Sequence, residues 1–437
     1  MSTSPFAEDN IALSDTILGC LSEFGRTVYF PKKGILGQSA AAKSCAINAT
    51  IGIALEEDGL PMALPSVAAS VSLPSQAIMP YAPSYGLPAL RAQWQARLLK
   101  ANPTLNSSYM SSPVVTCALT HALSVAGKLV LEPGDTLVLP HLFWGNYRLI
   151  FEKALGAELS TFPTFDGDGF NVEGCLAHLR AIPKEQGDQR KRLTLLLNFP
   201  NNPTGYSITR SEAMALRDGL AEVAAQRGGL TVMIDDAYFG LRYEDDVYPE
   251  SMFSLLSDAC PQLLAIKVDG ATKEDYVWGL RVGFLTFGYQ GAKSNGLAAL
   301  ENKCAGTVRA TISNAPRISQ SVLLEAYQSD TFEAEKAEKY LILRDRFEHL
   351  KAQFAAQDNF IDRFTVLPSN AGYFLCLHPK HVASEALRTH LIAHYGVGVI
   401  AAGPLIRIAF SSVPKAHIAS LVTAIVSGYD DLVSQNA

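Results

Sequence analysis

From residue 114 to 287 the chain alternates short, unbroken apolar runs with longer stretches whose apolar residues recur every three or four positions. The runs VVTCA (114–118), TLVLP (136–140), LTLLLN (193–198), LTVMIDDA (230–237), LLAIKVDG (263–270) and RVGFLTF (281–287) predict strands. HALSVAGKLVLE (121–132) and NYRLIFEKALG (146–156) predict helices. Thr209 stands three residues before Glu212, the spacing of a capping box, ahead of a helix running to about Gln226. A strand with one wet face alternates apolar and polar residues. These runs are mostly apolar and lack that alternation, so both faces are covered. Such strands interleaved with helices predict an α/β fold, a mostly parallel sheet sandwiched by helices.

After residue 315 the pattern changes. A long charged stretch, 317–355, predicts a helix, and FTVLPSNAGYFLCLHP (364–379) and GVGVIAAGPLIRIAF (396–410) predict strands of a smaller α+β domain. The expected division is an N-terminal segment, 1–61, that joins the small domain, a large α/β domain, 62–325, and a small C-terminal domain, 326–437.

The composition narrows the function. At 48% hydrophobic and 18% charged, the chain of 437 residues buries a large core and is not a disordered protein. Its net charge of −6 argues against a nucleic-acid partner. The seven cysteines include no CxxC pair, which excludes a zinc ribbon and a disulfide framework. No metal site is expected, and reduced thiols fit a cytoplasmic protein. The polar, acidic start MSTSPFAEDNIALSD is unlike a signal peptide, and no apolar run is long enough to span a membrane.

In an open α/β sheet, ligands bind beyond the carboxyl ends of the strands. The unusual polar residues fall there. NFPNNPTG (198–205) follows one predicted strand, Asp235-Asp236-Ala237-Tyr238 ends the next, Gly270-Ala271-Thr272-Lys273 ends a third, and Arg281 opens its successor. Taken singly, each has an ordinary reading: a turn, a helix cap, a solvated lysine. In order, at successive strand ends, they place an amide, an acid, a phenol, a lysine and an arginine on one rim.

That ordered set, N-x-P-x-N-P-T-G, then D-x-A-Y, then a lysine eight residues before an arginine, resembles the class I/II aminotransferases, fold-type I enzymes that use pyridoxal 5′-phosphate (PLP). The resemblance runs from about Asn48 to Arg407 and is nearest to the aspartate aminotransferase branch. It implies that Lys273 is the Schiff-base lysine and proton carrier. Asp235 would face the pyridine nitrogen, Asn202 and Tyr238 the ring oxygen, and Trp144 of FWGNY (143–147) the ring face. Thr120, Leu119, Thr272 and Arg281 would surround the phosphate, with Tyr81 of YAPSYGLPALR reaching it from a neighbouring subunit. Arg407 of LIRIAF would clamp the substrate α-carboxylate beside Gly52 and Asn202. Arg309 of RATISNAP would cross a homodimer interface to a distal carboxylate, and an interface ion pair is the competing reading of that residue. The chain departs from the family's pattern at Ala118-Leu119, usually smaller residues, at Gly270, often serine, and at Tyr276, usually small. The resemblance implies transamination between an L-amino acid and a 2-oxo acid, with a dicarboxylic partner. A PLP-dependent β-lyase or decarboxylase shares these residues and is the alternative. A non-catalytic ligand sensor would need a DNA-binding module that this chain lacks.

Overall fold

The computed structural model describes residues 10, 12–32, 34–183 and 192–436. The opening stretch of the polar N-terminus, residues 1–9, lies outside the described residues. Seven strands form the main sheet: β1 (Val114–Cys117), β2 (Thr136–Pro140), β3 (Glu158–Phe162), β4 (Leu193–Asn198), β5 (Leu230–Asp235), β6 (Leu263–Asp269) and β7 (Val282–Gly288). Their spatial order is β1-β7-β6-β5-β4-β2-β3. Pairings from β3 across to β6 are parallel, and β7 runs antiparallel to both β6 and β1. β4 is buried at every position, as an all-apolar run predicts.

The helices follow the sequence closely. α1 covers Ile35–Ala41 and α2 Pro88–Ala101, and α3, Ala118–Val130, starts three residues earlier than its apolar pattern suggests. Residues 148–153 are π-helical. α4, Arg210–Arg227, carries both halves of the capping box: Thr209 Oγ1 accepts from Glu212 N at 3.4 Å, and Thr209 N donates to Glu212 Oε2 at 2.8 Å. The single helix expected over 317–355 is two. After the short α5 (Ala271–Glu274) and α6 (Ser294–Thr311), α7 spans Arg317–Ala326 and α8 Phe332–Ala355. The break falls at Ser329-Asp330-Thr331, where Ser329 Oγ accepts from Thr331 N at 3.3 Å. Such side chains compete with the helix for backbone groups.

A second sheet holds β8 (Phe364–Val366), β9 (Phe374–Pro379), β10 (Ile400–Ala402) and β11 (Leu405–Ala409), in the order β8-β9-β11-β10 and all antiparallel. The N-terminal segment joins it: Ile47–Asn48 pairs in parallel with Val397–Gly398, and Ala409 N donates to Ala49 O at 2.8 Å. All seven cysteines are free. Among the described residues, no helix is long and apolar enough to cross a membrane.

Candidate active site

Sheet register sets the centre of the site. Asn198, Asp235 and Val268 are successive cross-strand partners on β4, β5 and β6. The segments that leave these parallel strands therefore emerge side by side. They bring Asn202, Tyr238, Thr272 and Lys273 to one cavity of about 260 Å³, which Arg281 enters from the start of antiparallel β7. Leu119, Thr120, Trp144, Gly52 and Arg407 also lie in its wall. Asp235 faces the cavity, whereas Asp236 is turned to the opposite face and pairs with Lys267 and Ser251. Neighbouring strand residues point to opposite sides of a sheet.

Two glycines and a strained alanine let the rim close. A Cβ on Gly270 would meet Val282 O at 2.6 Å, and one on Gly283 would meet the Ala118 carbonyl carbon at 2.6 Å. Serine at 270 would collide with β7, which explains that departure from the family's pattern. Ala118 has φ +60, and Tyr276 and Arg281 also adopt left-handed backbone at +57 and +56. Left-handed backbone costs an L-residue about 1–2 kcal/mol. The bulky Tyr276 is buried in that conformation.

The electrostatics are uneven. Lys273, Arg281 and Arg407 face one acid, Asp235, among the lining residues. Burial pushes the Lys273 ammonium down to about 8, with Asp235 opposing and Arg281 adding to the shift. Burial raises Asp235, while a hydrogen bond from Tyr147 and the charge of Lys273 pull it back. The Tyr238 phenol is pushed up, first by burial. Its ring lies 4.6 Å from Lys273 Nζ. Arg407 sits 4.3 Å over the Phe374 ring and donates to Asn202 Oδ1 and Thr50 O, both at 3.2 Å. Two buried polar atoms here have no partner, Arg407 Nε and Thr272 Oγ1. Buried donors are almost always paired. An excess of cations, an orphaned hydroxyl beside Arg281 and an orphaned guanidinium nitrogen fit a ligand that brings two anionic groups. That is the donor set a phosphorylated pyridine aldehyde and an amino acid require.

Two predicted residues are elsewhere. Tyr81 is 88% exposed, and Arg309 is exposed with its guanidinium on Ser313 Oγ at 2.8 Å. Neither lines the cavity of its own subunit. The structure also adds residues. Tyr147 is buried and donates to Asp235 Oδ2 at 2.6 Å, while Ala237 N holds Oδ1 at 3.1 Å. Asn198 bridges β4 to the Asp235 carbonyl and accepts from Asn202 N. Ile35, at the start of α1, reaches the cavity because Gln38 bonds both backbone groups of Ala401, at 3.0 and 2.8 Å. The FWGNY segment was the available signal for Tyr147; Ile35 had none.

Known proteins share this fold. The model of the family "Aminotransferase class I and II" matches residues 47–425. An aspartate aminotransferase of Musicola paradisiaca is 27% identical over 216 residues, 49% of this chain and 50% of that protein. The chain thus spans about half the length of the first curated relatives it matches. Among solved structures, an aminotransferase from Anaerococcus prevotii superposes with a TM-score of 0.78 at 23% identity, over 90% of this chain and 94% of that one. An aromatic-amino-acid aminotransferase from Burkholderia pseudomallei, covalently bound to pyridoxal phosphate, gives 0.72 at 22% identity, over 94% and 100%.

Proposed function

The chain belongs to the class I and II aminotransferase family, and we propose that it is a PLP-dependent transaminase that moves an amino group between an L-amino acid and a 2-oxo acid. The observation that carries this reading is the shared cavity of Lys273, Asp235 and Arg407. PLP, when bound, supplies an electron sink conjugated to the substrate's α-carbon. The chain's residues do the rest. Lys273 Nζ would hold the cofactor and carry the substrate's α-proton; with its pKa near 8, about a tenth is neutral at pH 7, far more than for an ordinary lysine. Asp235 would keep a proton on the pyridine nitrogen, and the Tyr147 hydrogen bond favours its ionised form against burial. Thr120, Thr272 and Arg281 donate to the phosphate, aided by the N-terminus of α3. Trp144 covers the ring face. Asn202 and Tyr238 donate to the ring oxygen. Arg407, beside Gly52, orients the α-carboxylate with its planar fork.

The partner of stated chemistry is a dicarboxylic acid, with 2-oxoglutarate as an amino acceptor. Arg309 and Tyr81 would come to this site from the other subunit of a homodimer. The curated relative named above is an aspartate aminotransferase, which supports an acidic substrate. Borohydride reduction and peptide mapping test the core of the proposal: the pyridoxyl group is expected on Lys273, and a label on another lysine refutes it. In the half-reaction, an amino acid should convert the bound cofactor to its pyridoxamine form. Arg309→Ala should lower kcat/KM for dicarboxylates by about 2–5 kcal/mol, as breaking a buried charge pair does. It should leave alanine turnover far less affected. Equal losses would make Arg309 structural.

A further inference from the structure

Helix α8 carries two inward-reaching cations, the half-buried Lys336 and the fully buried Arg346, and each holds a different wall of the cavity. Near its start, Lys336 Nζ donates to Asp275 Oδ1 at 2.9 Å and Glu274 Oε1 at 3.1 Å. The two residues sit at the end of the turn that bears Lys273, which Asp275 N closes by donating to Ala271 O at 2.9 Å. Asp275 is wholly buried and also takes Tyr327 OH at 2.7 Å, with Arg97 at 3.5 Å.

Ten residues along α8, Arg346 is fully buried. It donates to Leu55 O at 2.7 Å and Ser411 O at 2.9 Å, and its Nε and Nη2 both reach Glu57 Oε1. Leu55 lies three residues after Gly52, and Ser411 lies four residues after Arg407. Ser411 Oγ in turn donates to Ile53 O at 2.9 Å. Ten helical residues fix the two cations about 15 Å apart along the axis. A guanidinium satisfying two backbone carbonyls and a carboxylate is a stiff joint, and breaking such a buried contact leaves uncompensated charge.

We propose that Lys336 and Arg346 are positioning residues for one site: Lys336 fixes the turn that presents Lys273, Arg346 fixes the two segments that present Arg407 and Gly52, and α8 sets the separation between them. This rests on the transaminase reading above. An ordinary pair of structural ion pairs would lower stability without distinguishing the two walls, whereas positioning acts on one wall at a time.

The test uses the full chain with Lys336→Gln and Arg346→Gln, each measured three ways. These are the melting temperature of the apoprotein, the dissociation constant of PLP with the pH titration of its absorbance on Lys273, and the dissociation constant of succinate, an unreactive dicarboxylate. Misplaced reactive groups lose up to about a hundredfold. Lys336→Gln should weaken PLP about tenfold and move the titration midpoint, leaving succinate within about twofold. Arg346→Gln should do the opposite, weakening succinate and raising KM while PLP binding holds. Lys336→Arg should restore PLP binding. If a glutamine variant is insoluble, Lys336→Met and Arg346→Lys carry the same comparison. Both readouts moving together in each variant, or neither moving while the melting temperature falls, overturns the proposal. Wild-type protein that takes no PLP on Lys273 refutes the transaminase reading instead, and wild-type protein that takes PLP but binds no succinate refutes the dicarboxylic partner.

Discussion

At the scale of single residues, Lys273 is held in a state it would not choose in water. Burial lowers its pKa to about 8, from an ordinary value near 10.4. A lysine whose folded pKa is depressed destabilises the fold most below the folded value, where it is charged in both states. The penalty fades as pH rises between the two values, because the unfolded chain then holds the extra proton. Lys273→Met should therefore stabilise the apoprotein at pH 7 by roughly 1–3 kcal/mol, and the gain should vanish near pH 10.5. Thermal melts across pH 7 to 10.5 check this; a constant gain would trace to packing instead. Tyr147 works on the other partner. Its hydrogen bond lowers the pKa of Asp235 against burial. Tyr147→Phe should retain PLP yet lose about tenfold or more in kcat, since one hydrogen bond to a buried charge is worth about 1.5–3 kcal/mol. Its pH profile should shift upward on the acid limb, and an unchanged limb would assign Tyr147 to packing. The sequence offered Lys273 and Asp235 through motif order alone. Tyr147 was hidden because its partner lies 88 residues away, and no local spacing encodes that contact.

At the scale of elements, legibility follows physics. The six strand predictions of the main sheet hold within a few residues because a strand covered on both faces is apolar at most positions and lacks alternation. The capping box gave the start of α4 because its two hydrogen bonds are local in sequence. Direction was not legible: an apolar run reads the same both ways, so β7 could not be seen to be antiparallel. β3 was missed because its burial is mixed, with exposed Glu158 and half-buried Leu159 and Ser160. The turn before α3 shows what such a reading can still yield. Ala118 stands at φ +60, where glycine is at home, and its carbonyl carbon lies where only a glycine at 283 leaves room. Ala118→Gly should relieve about 1–2 kcal/mol of backbone strain, partly offset by about 0.4–1 kcal/mol of unfolded-chain entropy. A rise in melting temperature of the apoprotein is the expected outcome. A fall would mean that the Ala118 methyl packs usefully enough to outweigh the strain.

At the scale of the whole molecule, one subunit's cavity is incomplete as a dicarboxylate site. Its lining basic residues are Lys273, Arg281 and Arg407, and the roles proposed for these leave no cation for a distal carboxylate. Meanwhile Tyr81 and Arg309 stand outside, with Met79 at 74% and Tyr81 at 88% exposure on the same stretch of chain. Large apolar side chains so exposed are what a partner would cover. A two-fold dimer would exchange them reciprocally, since an isologous interface gives each site the same residues from its neighbour. The proposed homodimer can be tested by mixing two inactive variants, Lys273→Ala and the double variant Tyr81→Ala/Arg309→Ala. In a hybrid dimer, one site collects both lesions and the other has none. Random re-pairing makes half the dimers hybrids, so about a quarter of wild-type activity should return. Were Tyr81 and Arg309 to serve their own subunit, each hybrid site would keep one lesion and the mixture would stay as inactive as its parts. Sedimentation of the wild type as a fully active monomer would remove the shared site altogether.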